Sequence, residues 1–207
     1  KNNKVMISYP TQEEHHPIRW IVLWAKAFCP GHITGFFEIC DQPSDPLKRG
    51  SRGAGLSIKR GVITKVTIRE SSSPKIEINI NGRPNSAPVT RSVISCISEI
   101  CERLSTLCIK VDHKSLVPIG SGMGSSGAGA WGAALALNQL LNLNMTQDRI
   151  GQIAHNAEVE NKTGLGTVIA QQRGGIEIRS SPGAPGTCAC NSREAVGTGT
   201  SGRGNHA

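Results

Sequence analysis

Residues 117–141 of this 207-residue chain, VPIGSGMGSSGAGAWGAALALNQLL, restrict its fold more than any other stretch. A short apolar lead-in at 116–119 gives way to Gly120, Ser121, Gly122, Gly124, Ser125, Ser126 and Gly127, then to a run of alanine and leucine. That order predicts a strand end, a tight loop and a helix over 125–141. The glycines can take positive φ and let a ligand approach the backbone closely. The N–H groups of the loop and of the first helical turn then converge, and the helix dipole adds partial positive charge there. An anion, a phosphate first of all, is the natural guest. The plainer alternative, a glycine-rich loop that only reverses the chain, stays open on composition alone.

Two familiar phosphate motifs fit poorly. A P-loop needs lysine and then Ser or Thr after its last glycine, and Ala128 follows Gly127. Gly122-Met-Gly-Ser-Ser-Gly127 satisfies G-x-G-x-x-G literally. A dinucleotide fingerprint also wants an acidic residue at the end of a second strand, about twenty residues on. Asp148 has that spacing but follows Thr146 at a predicted helix start.

Hydrophobic content of 37% and charged content of 18% suit a water-soluble domain. No apolar run nears the roughly eighteen residues that a membrane span needs, and no leader pattern is present. The expectation is a cytoplasmic protein with reduced thiols and no membrane partner. Its seven cysteines are scattered, and Cys188-x-Cys190 lacks a second pair at zinc spacing. His15-His16 likewise lacks a ligand partner and reads as a solvated loop. Lys48, Arg49, Arg52, Lys59, Arg60, Lys65 and Arg69 concentrate much of the formal +8 charge. A nucleic-acid surface is one reading of that cluster. With 3% aromatics there is little to stack bases on, so nucleic acid is not the expected partner. Anionic small substrates account for the charge as well.

The rest of the chain alternates between strand and helix patterns. Residues 25–41 predict two apolar strands broken at Pro30-Gly31, and Gly50, Gly53 and Gly55 mark a loop. Val62, Thr64, Val66 and Ile68 then alternate as a half-buried strand. A strand at 74–80 closes on the turn signal Asn81-Gly82. Val93, Ile94, Ile97, Ile100 and Leu104 have helical spacing within 89–107, and a short strand at 107–111 leads into the glycine loop. Thr146 caps a helix over 147–161 with Ile150, Ile153, Ala154 and Ala157 as its buried stripe. His155 and Glu158 share another face. Residues 173–179 read as a glycine break and a strand. Taken alone, Arg179 could equally be a strand-edge charge, and His155 a structural histidine.

Three stretches carry a family resemblance: PGHITGFFEI at 30–39, PIGSGMGSSGAGA at 118–130, and the segment 155–179 that opens HNAEVENKTGLGTVIAQ. Together they resemble the GHMP kinases, in the version found in archaeal pantoate kinases, over residues 25–186. The resemblance implies an α+β fold, the GHMP kinase N-terminal domain related to ribosomal S5 domain 2, with the C-terminal GHMP domain missing. Residues 1–24 are then a non-family extension and 187–207 an aberrant tail, both expected to be disordered.

The resemblance also implies a reaction, ATP-dependent phosphorylation of the pantoate 4-hydroxyl on the way to coenzyme A. Pro118, Gly120, Ser121, Gly122, Gly124, Ser125, Ser126 and Gly127 would wrap ATP, and Ser126 with Glu158 would hold Mg²⁺. Ser51, His155 and Arg179 would meet pantoate, the guanidinium taking its carboxylate. His155 and Thr167 stand at the catalytic positions. Thr167 occupies the place of the family aspartate and cannot serve as a carboxylate base. Phosphoryl transfer rests largely on positioning and charge stabilisation, so loss of that base need not abolish it, but weak or absent turnover is the expectation. Trp131 also departs from the family, which has a smaller apolar residue there; it sits at a surface or crowds its helix. Two rivals remain: a GHMP kinase for another hydroxy acid such as homoserine or mevalonate, and a non-catalytic remnant that binds ATP or nothing. An apolar face left by the missing domain would favour a homodimer.

Overall fold

Residues 23–40 and 50–70, with buried and less buried residues alternating over 25–29 and 62–68, build two strands much longer than their sequence segments predict. The structure, a computed structural model, describes residues 6–8 and 22–190. Among the described residues, one sheet contains β1 (Met6–Ser8), β2 (Leu23–Cys40), β3 (Gly50–Glu70), β4 (Ile76–Ile80), β5 (Arg83–Pro84), β6 (Leu107–Ser115), β7 (Ile176–Ser181) and β8 (Thr187–Cys190). The helices are α1 (Pro88–Ile100), α2 (Ser125–Leu140), α3 (Gln147–Glu160) and α4 (Thr167–Arg173). The strand order is β1-β2-β3-β6-β4-β5, antiparallel throughout except for the parallel β4–β6 pair. Away from β2, β3 has two neighbours in succession: β7 along Gly53 to Leu56, and β6 along Val62 to Glu70. The α+β expectation holds.

Helix α2 lies across β2 and β3, with α1 and α3 packed against it. Its sequence is apolar all round rather than striped, as suits a helix covered on every side. Small residues make the close approach feasible: a Cβ at Gly132 would sit 2.6 Å from Thr64 Oγ1. Val62, Val66, Ile68, Val93, Ile97 and Leu137 are buried between the two layers. Each such side chain contributes about 1.5–3 kcal/mol by leaving water. Trp131 is fully buried, and its indole N–H has no hydrogen-bond partner. The surface alternative for this residue is therefore excluded.

Several elements differ from expectation. Pro30-Gly31 does not end a strand; β2 runs through it with a register shift between these two residues. Gly50, Gly53 and Gly55 are not a loop but the first third of β3. There the strands approach so closely that a Cβ at Gly53 would lie 2.7 Å from the Phe37 Cα. The helix expected over 89–107 ends at Ile100 and is followed by a 3₁₀ turn at Glu102–Thr106. Helix α4, at seven residues, is too short to show a period. The Asn81-Gly82 turn has φ of 51° and 78°, and Thr146 caps α3 by accepting the Arg149 N–H at 3.2 Å, both as expected.

At the two ends, β1 pairs Met6 with Lys26 and Ser8 with Trp24, while β8 pairs Cys188 with Arg179. Parts of both terminal segments thus join the sheet, because main-chain pairing needs no side-chain period. The rest of those segments, His15-His16 included, lies outside the described residues. Of the seven basic residues of 48–69, Lys48 and Arg49 precede β3 and the other five are spread along it, a strand that at about 3.3 Å per residue is far too long to gather them into one patch. Lys65 stands 4.9 Å over the Trp24 ring, and Arg52 faces Glu38 at 3.8 Å. Among the described residues no helix is long and apolar enough to cross a membrane.

Candidate active site

The glycine loop leaves β6 and enters α2 with Gly120, Gly122 and Gly124 at φ of 76°, 74° and 66°. Gly124 is the N-cap and makes no side-chain cap, so the first N–H groups of α2 keep no such partner. Such an end attracts anions. Two neighbours hold the loop by its carbonyls. The His32 N–H of β2 donates to the Met123 oxygen at 3.1 Å, and Gln171 Nε2 of α4 donates to the Gly124 oxygen at 2.8 Å.

Glu158 projects from α3 toward the same helix end and is 2% exposed. Thr163 Oγ1 donates to its Oε1 at 2.8 Å, and the Ser126 hydroxyl at the start of α2 favours the charged carboxylate. Burial pushes the Glu158 pKa up, and the two hydroxyls partly offset this. A Cβ at Gly127 would lie 2.9 Å from Glu158 Oε2, so glycine there makes room for the carboxylate beside the first turn of α2. Among the described residues no three His, Cys, Asp or Glu side chains cluster as a metal site. One carboxylate and one hydroxyl form a hard oxygen donor set, which suits Mg²⁺ when phosphates and water complete its shell.

Two hollows meet here. A small apolar one of about 190 Å³ is lined by Ile80, Pro88, Val89, Ile119, Ser126 and Thr163. A larger open cleft of about 820 Å³ is lined by Ser51, Thr34, Gly122, Thr163, Thr167 and Arg179, among others. Thr163 lines both, and its hydroxyl bonds the buried Glu158 behind them. Ser51 of β3 and Arg179 of β7 flank Gly166: a Cβ there would be 3.0 Å from Ser51 Oγ and 3.5 Å from Arg179 Nε. Thr167 begins α4 at the edge of this cleft.

His155 departs from expectation. It is fully buried and is not among the cleft-lining side chains. Its Nε2 donates to the Arg49 carbonyl at 2.9 Å, which leaves Nδ1 unprotonated and without a partner. Burial holds its pKa down. The ring therefore anchors the chain just before Ser51 instead of facing a ligand. Pro118 and Ser121 bond within the loop itself, Ser121 Oγ donating to the Pro118 oxygen at 2.8 Å.

Sequence reasoning missed His32, Gln171 and Glu177. Glu177 is fully buried, while its neighbours Ile176 and Ile178 are exposed. All three lie in stretches that carry the family resemblance, 30–39 and 155–179, but no periodicity marks them: Gln171 is in a helix too short to show a period, and Glu177 in a strand whose charged residues point inward.

Comparison with known proteins agrees with this geometry. Residues 91–175 match the model described as the GHMP kinases N terminal domain. The pantoate kinase of Methanocaldococcus jannaschii is 42% identical over 162 residues, covering 76% of this chain and 54% of the relative. That of Thermococcus kodakarensis is 38% identical over 165 residues, covering 78% and 53%. A solved structure described as a phosphotransferase related to the CoA biosynthesis pathway superposes with a TM-score of 0.73 at 36% identity. It covers 81% of this chain and 57% of its own. The chain thus spans about half the length of the curated relatives it matches. In sequence and in fold, the chain carries a GHMP kinase N-terminal domain.

Proposed function

We propose that this chain forms the catalytic half of a kinase that transfers the γ-phosphoryl group of ATP to the hydroxyl of pantoate, giving 4-phosphopantoate for coenzyme A synthesis. One observation carries the reading: Ser51, Thr167 and Arg179, from three distant segments, line one cleft that adjoins the uncapped start of α2. The pantoate kinase relatives supply the substrate class.

In this reading the apolar hollow takes the nucleotide base, and the phosphates cross the N-terminus of α2. Ser126 and Glu158 hold Mg²⁺, which would supply charge neutralisation at the phosphates. Arg179 and Ser51 hold the acid, the guanidinium by paired hydrogen bonds to the carboxylate. His155 acts at one remove, by fixing the approach to Ser51. Thr167 cannot accept the hydroxyl proton as a carboxylate would, so the rate depends on alignment and charge stabilisation. A hydroxy acid of similar length is the alternative acceptor.

The test is calorimetric titration of the full chain with a non-hydrolysable ATP analogue, with and without Mg²⁺, followed by pantoate. Magnesium-dependent binding that disappears in Glu158→Ala is the expected result. A wild-type chain that binds no nucleotide under either condition would overturn the reading.

A further inference from the structure

Strand β7 is built inside out. Ile178 is 57% exposed, whereas Glu177 and Arg179 beside it are 0% and 5% exposed. Burying a charged pair and exposing two isoleucines does nothing for stability; an apolar pair inside would serve the fold as well or better. The arrangement therefore calls for another reason, and the partners of Glu177 supply one.

Three donors converge on that carboxylate. Arg179 Nη1 and His32 Nε2 both meet Oε1, the latter at 3.0 Å, and the Cys188 thiol reaches Oε2 at 3.6 Å. Across the ladder, Gly55 pairs with Glu177, and a Cβ on Gly55 would lie 2.5 Å from the His32 ring. The imidazole thus sits against β3 at a point where only glycine leaves room. Thr34, a cleft residue, bonds the other ring nitrogen at 3.3 Å. Arg179 keeps a buried Nε with no partner, beside Ser51. His32 is also the residue whose N–H holds the Met123 carbonyl of the glycine loop.

We infer that His32 and Glu177 are positioning residues. They form a strut that aims the free Nε–H of Arg179 into the cleft and ties it at a set distance to the phosphate loop. The inference rests on the proposed reading of that cleft as the acid-binding site. Glu177 removes the guanidinium's freedom to rotate, and His32 removes that of Glu177. The acid is then met by preset donors at one distance from the transferred phosphoryl group, which selects for acids of matching length.

The test uses Glu177→Gln and His32→Gln in the full chain, with two readouts. The first is the Arg179 Nε–H resonance in ¹⁵N-labelled protein, assigned by its loss in Arg179→Lys. The second is titration with pantoate and, separately, with the magnesium–nucleotide analogue. Both variants should lose the slowly exchanging Nε–H and weaken pantoate binding at least about tenfold. Nucleotide affinity should stay within about twofold, a split that general unfolding would not produce. If Glu177→Gln does not fold, His32→Gln decides, since it leaves the buried charge pair intact. An unchanged Arg179 resonance overturns the inference. A wild type that binds nucleotide but no pantoate, with the resonance lost in the variants, supports the strut and refutes the substrate assignment.

Discussion

The two halves of β2 and β3 share one ladder and follow opposite rules. From Leu23 to Cys29 and from Val62 to Ile68, the inward residues are Ala25, Ala27, Cys29, Val62, Thr64, Val66 and Ile68, all buried and all but Thr64 apolar. Beyond the register shift at Pro30, the buried side chains include the polar His32, Ser51 and Ser57 beside Ile58, while Phe36, Phe37 and Ile39 are exposed. Strand β7 continues the second pattern. One half is a core under α2; the other meets only the short α4, and polar residues from it line the cleft. The bulge is the boundary: it turns the ladder away from α2 without ending either strand.

The contrast yields graded expectations. Thr167→Asp restores a carboxylate at the cleft edge and should raise turnover with ATP and pantoate by roughly 10²–10⁴-fold, the usual range for a positioned base. Steady-state kinetics would show it, and stability should barely change. Leu137→Ala, in the core half, should do the reverse: about 2–5 kcal/mol lost in denaturant unfolding, with ligand affinity unaltered. Equal effects of both variants on binding would break the division between the halves.

His113 offers a test by pH. It is buried with Thr64 Oγ1 at 2.9 Å and Thr90 Oγ1 at 3.0 Å on its two ring nitrogens, and burial lowers its pKa from 6.5 to about 4. As pH falls the unfolded chain takes up this proton first, so the stabilisation is complete above about 6.5 and is lost towards 4. The loss amounts to about 3 kcal/mol at most. Glu158, with its pKa raised, works in the opposite sense, its contribution declining as pH rises through the raised value. Thermal melts from pH 7 to 4 should therefore flatten in His113→Gln relative to the wild type. The smallest effect belongs to Ile178→Ser on the exposed side of β7, within about 0.5 kcal/mol. A loss of several kcal/mol there would mean that the exposed isoleucines are not solvent-facing in solution.

Much of the core half was legible in the sequence. Val62, Thr64, Val66 and Ile68 alternate, Ile150, Ile153, Ala154 and Ala157 repeat at helical spacing, and both patterns survive in three dimensions. The cleft half was read through motifs instead. That led to Ser51 and Arg179, which line the cleft, and to His155, whose ring is buried with Nε2 on the Arg49 carbonyl. Glu177 escaped both routes. In RGGIEIR an alternation rule buries the isoleucines, and only the β3–β7 register shows that the charged residues face inward.

What the sequence determined by itself is local: a glycine loop whose backbone must take positive φ, a small-residue helix that must be buried, strands and caps of short-range pattern. These follow from steric and hydrophobic preferences within a few residues of each other. What only the tertiary structure decided is which side of a strand faces a ligand. It also decided which distant residues, such as His32 and Glu177, share a proton-donating contact. That depends on register and on what packs opposite, and neither is encoded within a single segment.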